Sequence, residues 1–183
     1  MTAALLLMDF QADIVDRLGS AEVVEAAGTA LEAARRNGVP VVFVRVAFRA
    51  GTPEVSRRNK SFSAVADRGG MGQDDPGTQV VEELAPQDTE VVVMKRRVSA
   101  FTGSDLEVVL RGLDVDHLVL AGISTSGVVL STLREAADRD FRLTVLEDAC
   151  ADGDDEVHRV LTEKVFPRQA DVTTVGAWAD TLA

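Results

Sequence analysis

Five stretches of this chain, residues 3–8, 39–47, 90–94, 117–121 and 142–146, are apolar and rich in β-branched residues almost without interruption. Each has the length of a strand, and continuous rather than alternating hydrophobicity belongs to strands covered on both faces. Helices on both sides of a parallel sheet supply that cover.

Helical patterns fill the intervals. Residues 21–36 end at Asn37-Gly38, residues 104–111 end at Gly112, and residues 128–139 precede the fifth strand; Asn, Gly and basic side chains are ordinary helix stops. Ser104 with Glu107 three residues on, just before Val108, Val109 and Leu110, has the form of a capping box, so this serine marks a helix start rather than an active site. Residues 154–165 read as a further helix, 171–175 as a short sixth strand and 176–182 as a terminal helix. The alternation predicts an α/β fold, a three-layer α/β/α sandwich with a central, mostly parallel six-stranded sheet. With 183 residues the chain fits one domain spanning residues 1–183. The exception to the pattern is residues 48–76, rich in Gly, Arg, Ser and Asp and without a clear strand; long irregular loops of this kind tend to be functional lids or mobile segments.

Charge and cysteine content narrow the partners. A net charge of −11 argues against nucleic acid and anionic membranes, which repel such a surface. The cationic residues Arg45, Arg49, Arg57, Arg58, Lys60 and Arg68, with Lys95, Arg96 and Arg97 further on, read as solvated loop charges before they read as a site for an anionic small molecule. The single cysteine, Cys150, cannot form an internal disulfide, the opening MTAALLLMDF lacks a basic leader segment, and no apolar run approaches the roughly 20 residues of a membrane span. A cytoplasmic protein without membrane contact is expected.

Chemistry gathers at one edge of the expected sheet. The segment LVLAGISTSGVVLST (118–132) passes from strand through a Ser/Thr-rich turn into a helix, the arrangement that places functional groups at the carboxyl ends of strands. Asp9 closes the first strand, and Lys95 follows the third at the same edge. A carboxylate half buried there beside Phe10 has its pKa pushed up by desolvation and down by a nearby lysine; the ordinary alternatives are a helix cap for Asp9 and a strand-end charge for Lys95. Ser124, Thr125, Ser126 and Ser131 supply hydroxyls, with no histidine near them in the pattern to activate one. His117 falls at the opposite end of its strand, and His158 lies on a helix among Glu156 and Arg159, so both read as structural or solvated. Cys150, beyond the fifth strand, reads as a small buried hydrophobe.

Taken in order, MDFQ (8–11), KRRVSAFTGSDLEVVL (95–110), the 118–132 segment and LTVLEDACAD (143–152) resemble the isochorismatase-like cysteine hydrolase family over most of the chain. The resemblance implies a catalytic set of Asp9, Lys95 and a third position occupied here by Val128, where that family carries its cysteine. A one-residue slip puts Gly127 there instead, as in true isochorismatases, and neither register restores a thiol. It also implies a non-proline cis peptide between Ile123 and Ser124, and backbone amides of Gly127 and Val128 aimed at a substrate oxygen. The turn Ser99-Ala100-Phe101 is expected to line the pocket, with Phe10, Phe43 and Phe48 making it largely apolar; Phe10, Phe101, Ser124, Thr125 and Gly127 are the implied substrate-binding positions. The histidines of the family's metal-binding branch are missing from residues 41–95, so neither metal nor cofactor is expected, and family habit implies a homodimer. The implied function is hydrolysis of a small molecule without a covalent cysteine intermediate, Asp9 serving as acid/base and Lys95 as its electrostatic partner. The alternatives are a family member that has lost hydrolysis and acts as a small-molecule binder or oligomer partner, and an amidase with some other nucleophile.

Overall fold

The computed structural model describes residues 2–19 and 21–182. Six strands, β1 (Ala3–Met8), β2 (Val41–Val46), β3 (Val91–Lys95), β4 (His117–Ile123), β5 (Arg142–Ala151) and β6 (Asp171–Thr173), form one sheet in the order β3-β2-β1-β4-β5-β6. Every pairing is parallel, which turns the expected "mostly parallel" sheet into a wholly parallel one. Seven α-helices flank it among the described residues: α1 (Ala12–Leu18), α2 (Ala21–Arg36), α3 (Lys60–Arg68), α4 (Leu106–Gly112), α5 (Leu130–Ala137), α6 (Asp155–Val160) and α7 (Val175–Asp180).

Side-chain alternation along β1 shows how both faces are filled. Ala4, Leu6 and Met8 join a core with Leu110, Leu133 and Phe166 on the α4/α5 side. Leu5 and Leu7 join the opposite core with Ala27, Ala30, Leu31 and Trp178 from α2 and α7. The long helix α2 buries Val24, Ala27, Ala30, Leu31 and Ala34, a stripe at the i, i+3, i+4, i+7 spacing of an amphipathic helix. The strand order reverses direction between β1 and β4, and the crevice outside the carboxyl ends of strands at such a point is where open α/β sheets receive ligands.

Several boundaries differ from expectation for identifiable reasons. β5 does not stop at Leu146: after a register shift it pairs Cys150 with Gly122 and Ala151 with Ile123, so Cys150 lies inside the strand rather than beyond it. No capping box forms at α4, which starts at Leu106. Ser104 Oγ donates to Ala100 O at 2.6 Å and accepts from Leu106 N at 3.3 Å, so the serine still serves the first turn, while Glu107 is drawn to Arg111 and Arg139 rather than back to Ser104. The 48–76 stretch holds α3, whose N-cap Asn59 accepts a hydrogen bond from Phe62 N at 3.1 Å, and α1 was not anticipated either. The helix expected at 128–139 is entered through a π turn, Thr125–Val129, a wide turn that recurs at functional sites. The helix expected at 154–165 likewise splits into α6, capped by Asp154, and a second π turn, Leu161–Val165.

Gly122 sits where β1 and β4 come closest at the crevice: a Cβ there would lie 2.7 Å from Met8 O and 3.0 Å from Met8 Cβ. Neither contact can yield, since one is backbone and the other a buried strand position. Gly122→Ala is therefore expected to cost about 1–3 kcal/mol, the usual range for overpacking. Gly153→Ala, where a Cβ meets nothing within 4 Å, is expected to stay within about 0.5 kcal/mol of wild type. Urea unfolding of the two variants reads the contrast.

Candidate active site

Three strand ends converge on the crevice. Asp9 follows β1 directly, and its backbone turns into the left-handed region (φ 60°), a conformation that aspartate tolerates better than most side chains. Its N–H donates to Val44 O at 2.8 Å, which fixes the turn against β2. Lys95 is the last residue of β3. Its Nζ lies 2.9 Å from Asp9 Oδ2 and 3.0 Å from Arg97 O. Both side chains are almost fully buried, Asp9 at 5% exposure and Lys95 at 2%. A buried charge demands a partner, and each supplies the other's.

The pair is incomplete on one side. Asp9 Oδ1 is buried with no hydrogen-bond partner, although Asp9 lines a pocket of about 300 Å³ together with Ile14, Arg17, Leu18, Val46, Phe62, Lys95, Val98, Ile123, Ser124, Gly127 and Val128. Burial raises the Asp9 carboxyl above its ordinary range, while the charge and hydrogen bond of Lys95 pull it back.

β4 contributes the third side. The peptide between Ile123 and Ser124 is cis, where the resemblance placed it, and the chain then enters the Thr125–Val129 turn. Ser124 O accepts from Gly127 N at 3.2 Å and from Val129 N at 3.3 Å, and Asp152 Oδ2 accepts from Ser126 N at 2.7 Å. The Gly127 amide is thus consumed by the turn, whereas the Val128 N–H takes no part in those bonds. A Cβ on Gly127 would fall 2.6 Å from Ser124 Oγ, so a larger residue there requires the serine hydroxyl to rotate away.

The structure gathers Asp9, Lys95, Ser124, Gly127 and Val128 around one pocket and leaves three expected residues out. Phe10 turns into the α2/α7 core. Phe101 packs against Phe141, with ring centroids 6.0 Å apart, beneath Arg139 on the opposite core. The turn carrying it docks on α5 through Ser99 Oγ to Glu135 Oε2 (2.5 Å) and Ala100 N to Thr132 Oγ1 (2.9 Å). Thr125 is fully buried, and its Oγ1 lies 2.8 Å from His158 Nδ1. A histidine therefore does approach the Ser/Thr turn, by a tertiary contact, but the hydroxyl it meets is absent from the pocket lining. Phe43 and Phe48 are core residues too.

The pocket's aromatic wall is instead Phe62, on the helix inside the segment read as a loop. The same segment explains the cationic cluster: Glu54 pairs with Arg49 (2.6 Å) and Arg96 (3.4 Å), Arg97 donates to Glu54 O at 2.8 Å and lies over the Phe62 ring, and Arg57 pairs with Asp67. Glu54 with Arg96 and Arg97 holds the cover of the site in place, whereas Arg49, Arg57, Arg58, Lys60 and Arg68 are exposed, as solvated loop charges are.

Two expectations follow from the burial of Asp9 and Cys150. The folded protein holds the Asp9 proton more tightly than the unfolded chain does, so Asp9 contributes stability that is fully present below its ordinary value of 3.8 and is lost as pH rises through its folded value. The stability of wild type relative to Asp9→Asn should accordingly fall as pH rises above that point; urea unfolding of both proteins across the acid range measures it, Lys95 imposing a near-constant offset on the variant. Cys150 is buried, does not line the pocket, and has its thiol pushed up to about 12 by burial. Because the thiolate is the reactive form, iodoacetamide should leave wild type unlabelled until it is unfolded, while a thiol placed by Val128→Cys is labelled in the folded state, as read by mass spectrometry.

Comparison with known proteins accords with this architecture. The isochorismatase domain matches residues 3–177. An uncharacterized isochorismatase family protein, YecD of Escherichia coli, is 34% identical over 95% of this chain and 93% of its own length. The crystal structure of a cysteine hydrolase from Pseudomonas syringae pv. phaseolicola superimposes with a TM-score of 0.91 at 26% identity, covering 98% of this chain and 92% of that one. That of N-carbamoylsarcosine amidase from Thermoplasma acidophilum does so with a TM-score of 0.78 at 27% identity, covering 96% and 97%. The chain belongs to the isochorismatase family of hydrolases.

Proposed function

We propose that this protein hydrolyses a small molecule without a covalent enzyme intermediate, with Asp9 as acid/base, Lys95 as its electrostatic partner and Val128 at the position where cysteine hydrolases carry their nucleophile. The observation that carries the reading is Asp9 Oδ1: a buried carboxylate oxygen with no partner, on a residue that lines the pocket beside Val128. A buried acceptor left unsatisfied costs free energy, and a substrate or water proton satisfies it.

The chemistry needs no thiol. Asp9 accepts a proton from water, the water oxygen bonds to the substrate carbonyl carbon, and the carbonyl oxygen gains negative charge opposite the Val128 N–H, where a preorganised donor lowers the barrier. Collapse breaks the bond to the leaving group, and Asp9 returns its proton there. Lys95 holds Asp9 in position and keeps enough anionic character on a carboxyl that burial alone would neutralise. The amidase among the relatives supports a carbonyl substrate; a vinyl ether, cleaved after protonation by Asp9, fits the same machinery.

A second reading has its own support. Val128 is buried against the α4/α5 core, so it closes the floor of the pocket with an apolar surface suited to a binder that performs no reaction. Turnover separates the two. With a substrate drawn from a panel of small amides and enol ethers, Asp9→Asn is expected to lower kcat/KM by roughly 10²- to 10⁴-fold, the usual contribution of general acid–base catalysis, with the circular dichroism spectrum unchanged. Equal turnover by wild type and variant, or binding with none by wild type, removes the hydrolytic reading.

A further inference from the structure

The pocket is furnished unevenly. Asp9 and Lys95 satisfy each other at one side, Ile14, Phe62 and Val98 make apolar wall, and a single further charge lines the cavity, Arg17 on the last turn of α1. The guanidinium groups nearby are engaged: Arg45 donates to Gln73 O at 3.0 Å, Arg49 and Arg96 hold Glu54, and Arg97 holds Glu54 O. Arg17 has no such engagement among the described residues, and it is exposed.

An arginine open to a cavity offers a rigid fork that matches a carboxylate in two hydrogen bonds. The other polar end of the pocket has the opposite character. Asp9 and Lys95 together carry no net charge, and the oxygen left over belongs to Asp9, which repels a second carboxylate and accepts a proton-bearing group. The two ends therefore sort a bifunctional ligand into one orientation.

We propose that Arg17 is a specificity-determining residue and that the substrates are short organic acids, whose carboxylate binds Arg17 while a neutral, hydrolysable carbonyl lies against Asp9. This rests on the hydrolase reading above for its direction of approach, but the charge preference is a property of binding alone. It also limits the substrate's size, because about 300 Å³ stands at the small end of ligand pockets.

The test is binding of two acid amides, succinamate and the longer adipamate, each against its neutral diamide of the same shape, titrated by NMR into wild type, Arg17→Gln and Asp9→Asn. Wild type is expected to prefer at least one acid over its diamide by about 10-fold, the scale of one charge-assisted interaction at an exposed site. Arg17→Gln should bring that pair within about 2-fold by weakening the acid only. Asp9→Asn, which removes a repelling carboxylate and leaves Lys95 charged, should not lower the preference. No preference in wild type at either length, no binding of either acid, or an equal loss of acid and diamide in Arg17→Gln overturns the proposal. Preference without any dependence of hydrolysis on Asp9 leaves Arg17 in place and removes the catalytic reading instead.

Discussion

A charge along a strand covered on both faces costs free energy unless a partner replaces the water it gives up. β1 is wholly apolar and β3 is apolar up to its last residue, so the charges stand where the strands stop, and the parallel arrangement brings those ends to one edge. Asp9 and Lys95 are the result: two charges 2.9 Å apart where the apolar sheet stops and the crevice begins. The close approach of Gly122 to Met8 brings the third component, the Ser124–Val128 turn, to the same place. The site is a boundary of the core more than an addition to it.

Much of this was legible in the chain. Continuous apolar runs identify strands buried twice over, and they placed β1, β2, β3, β4 and the first half of β5 within a few residues. Asp9 and Lys95 could be paired in advance because a residue that closes a parallel strand has its position set by the strand, and the turn after β4 carried the cis peptide where the resemblance put it. The failures share a cause. Phe10 and Phe101 were placed by nearness in sequence to site residues, whereas the direction of a side chain is settled by which core has room for it. Phe62 and Arg17 lie on helices of nine and seven residues, too short for periodicity to announce. Ser104 with Glu107 had the spacing of a capping box, but spacing does not register competing partners: Ser104 accepts from Leu106 N, while Glu107 pairs with Arg111 and Arg139 instead. His158 meets Thr125 from 33 positions away, a contact no local pattern contains.

The cover over the pocket is held by polar rather than apolar means. Phe62, Phe48 and Val46 make a small cluster of their own, separate from the two main cores, and Glu54 with Arg49, Arg96 and Arg97 ties the segment down around it. Gln11 performs the same service at the sheet: its Nε2 donates to Val46 O and to Thr78 O, both at 2.9 Å, and its Oε1 accepts from Val46 N at 2.7 Å. One buried amide thus joins the ends of β1 and β2 to the segment that leaves the cover.

The two ends of that cover meet. Phe48 N donates to Met71 O at 2.8 Å and Gln73 N to Phe48 O at 3.0 Å, so residues 49–71 leave the sheet and return at neighbouring positions, like a bag drawn closed at its neck. For a loop closed this way, doubling the length costs only about 0.6 kcal/mol of closure entropy. The fold can therefore exchange, lengthen or shorten the piece that carries Phe62 while Asp9, Lys95 and their sheet remain as they are, so the wall of the pocket and its floor are free to change separately.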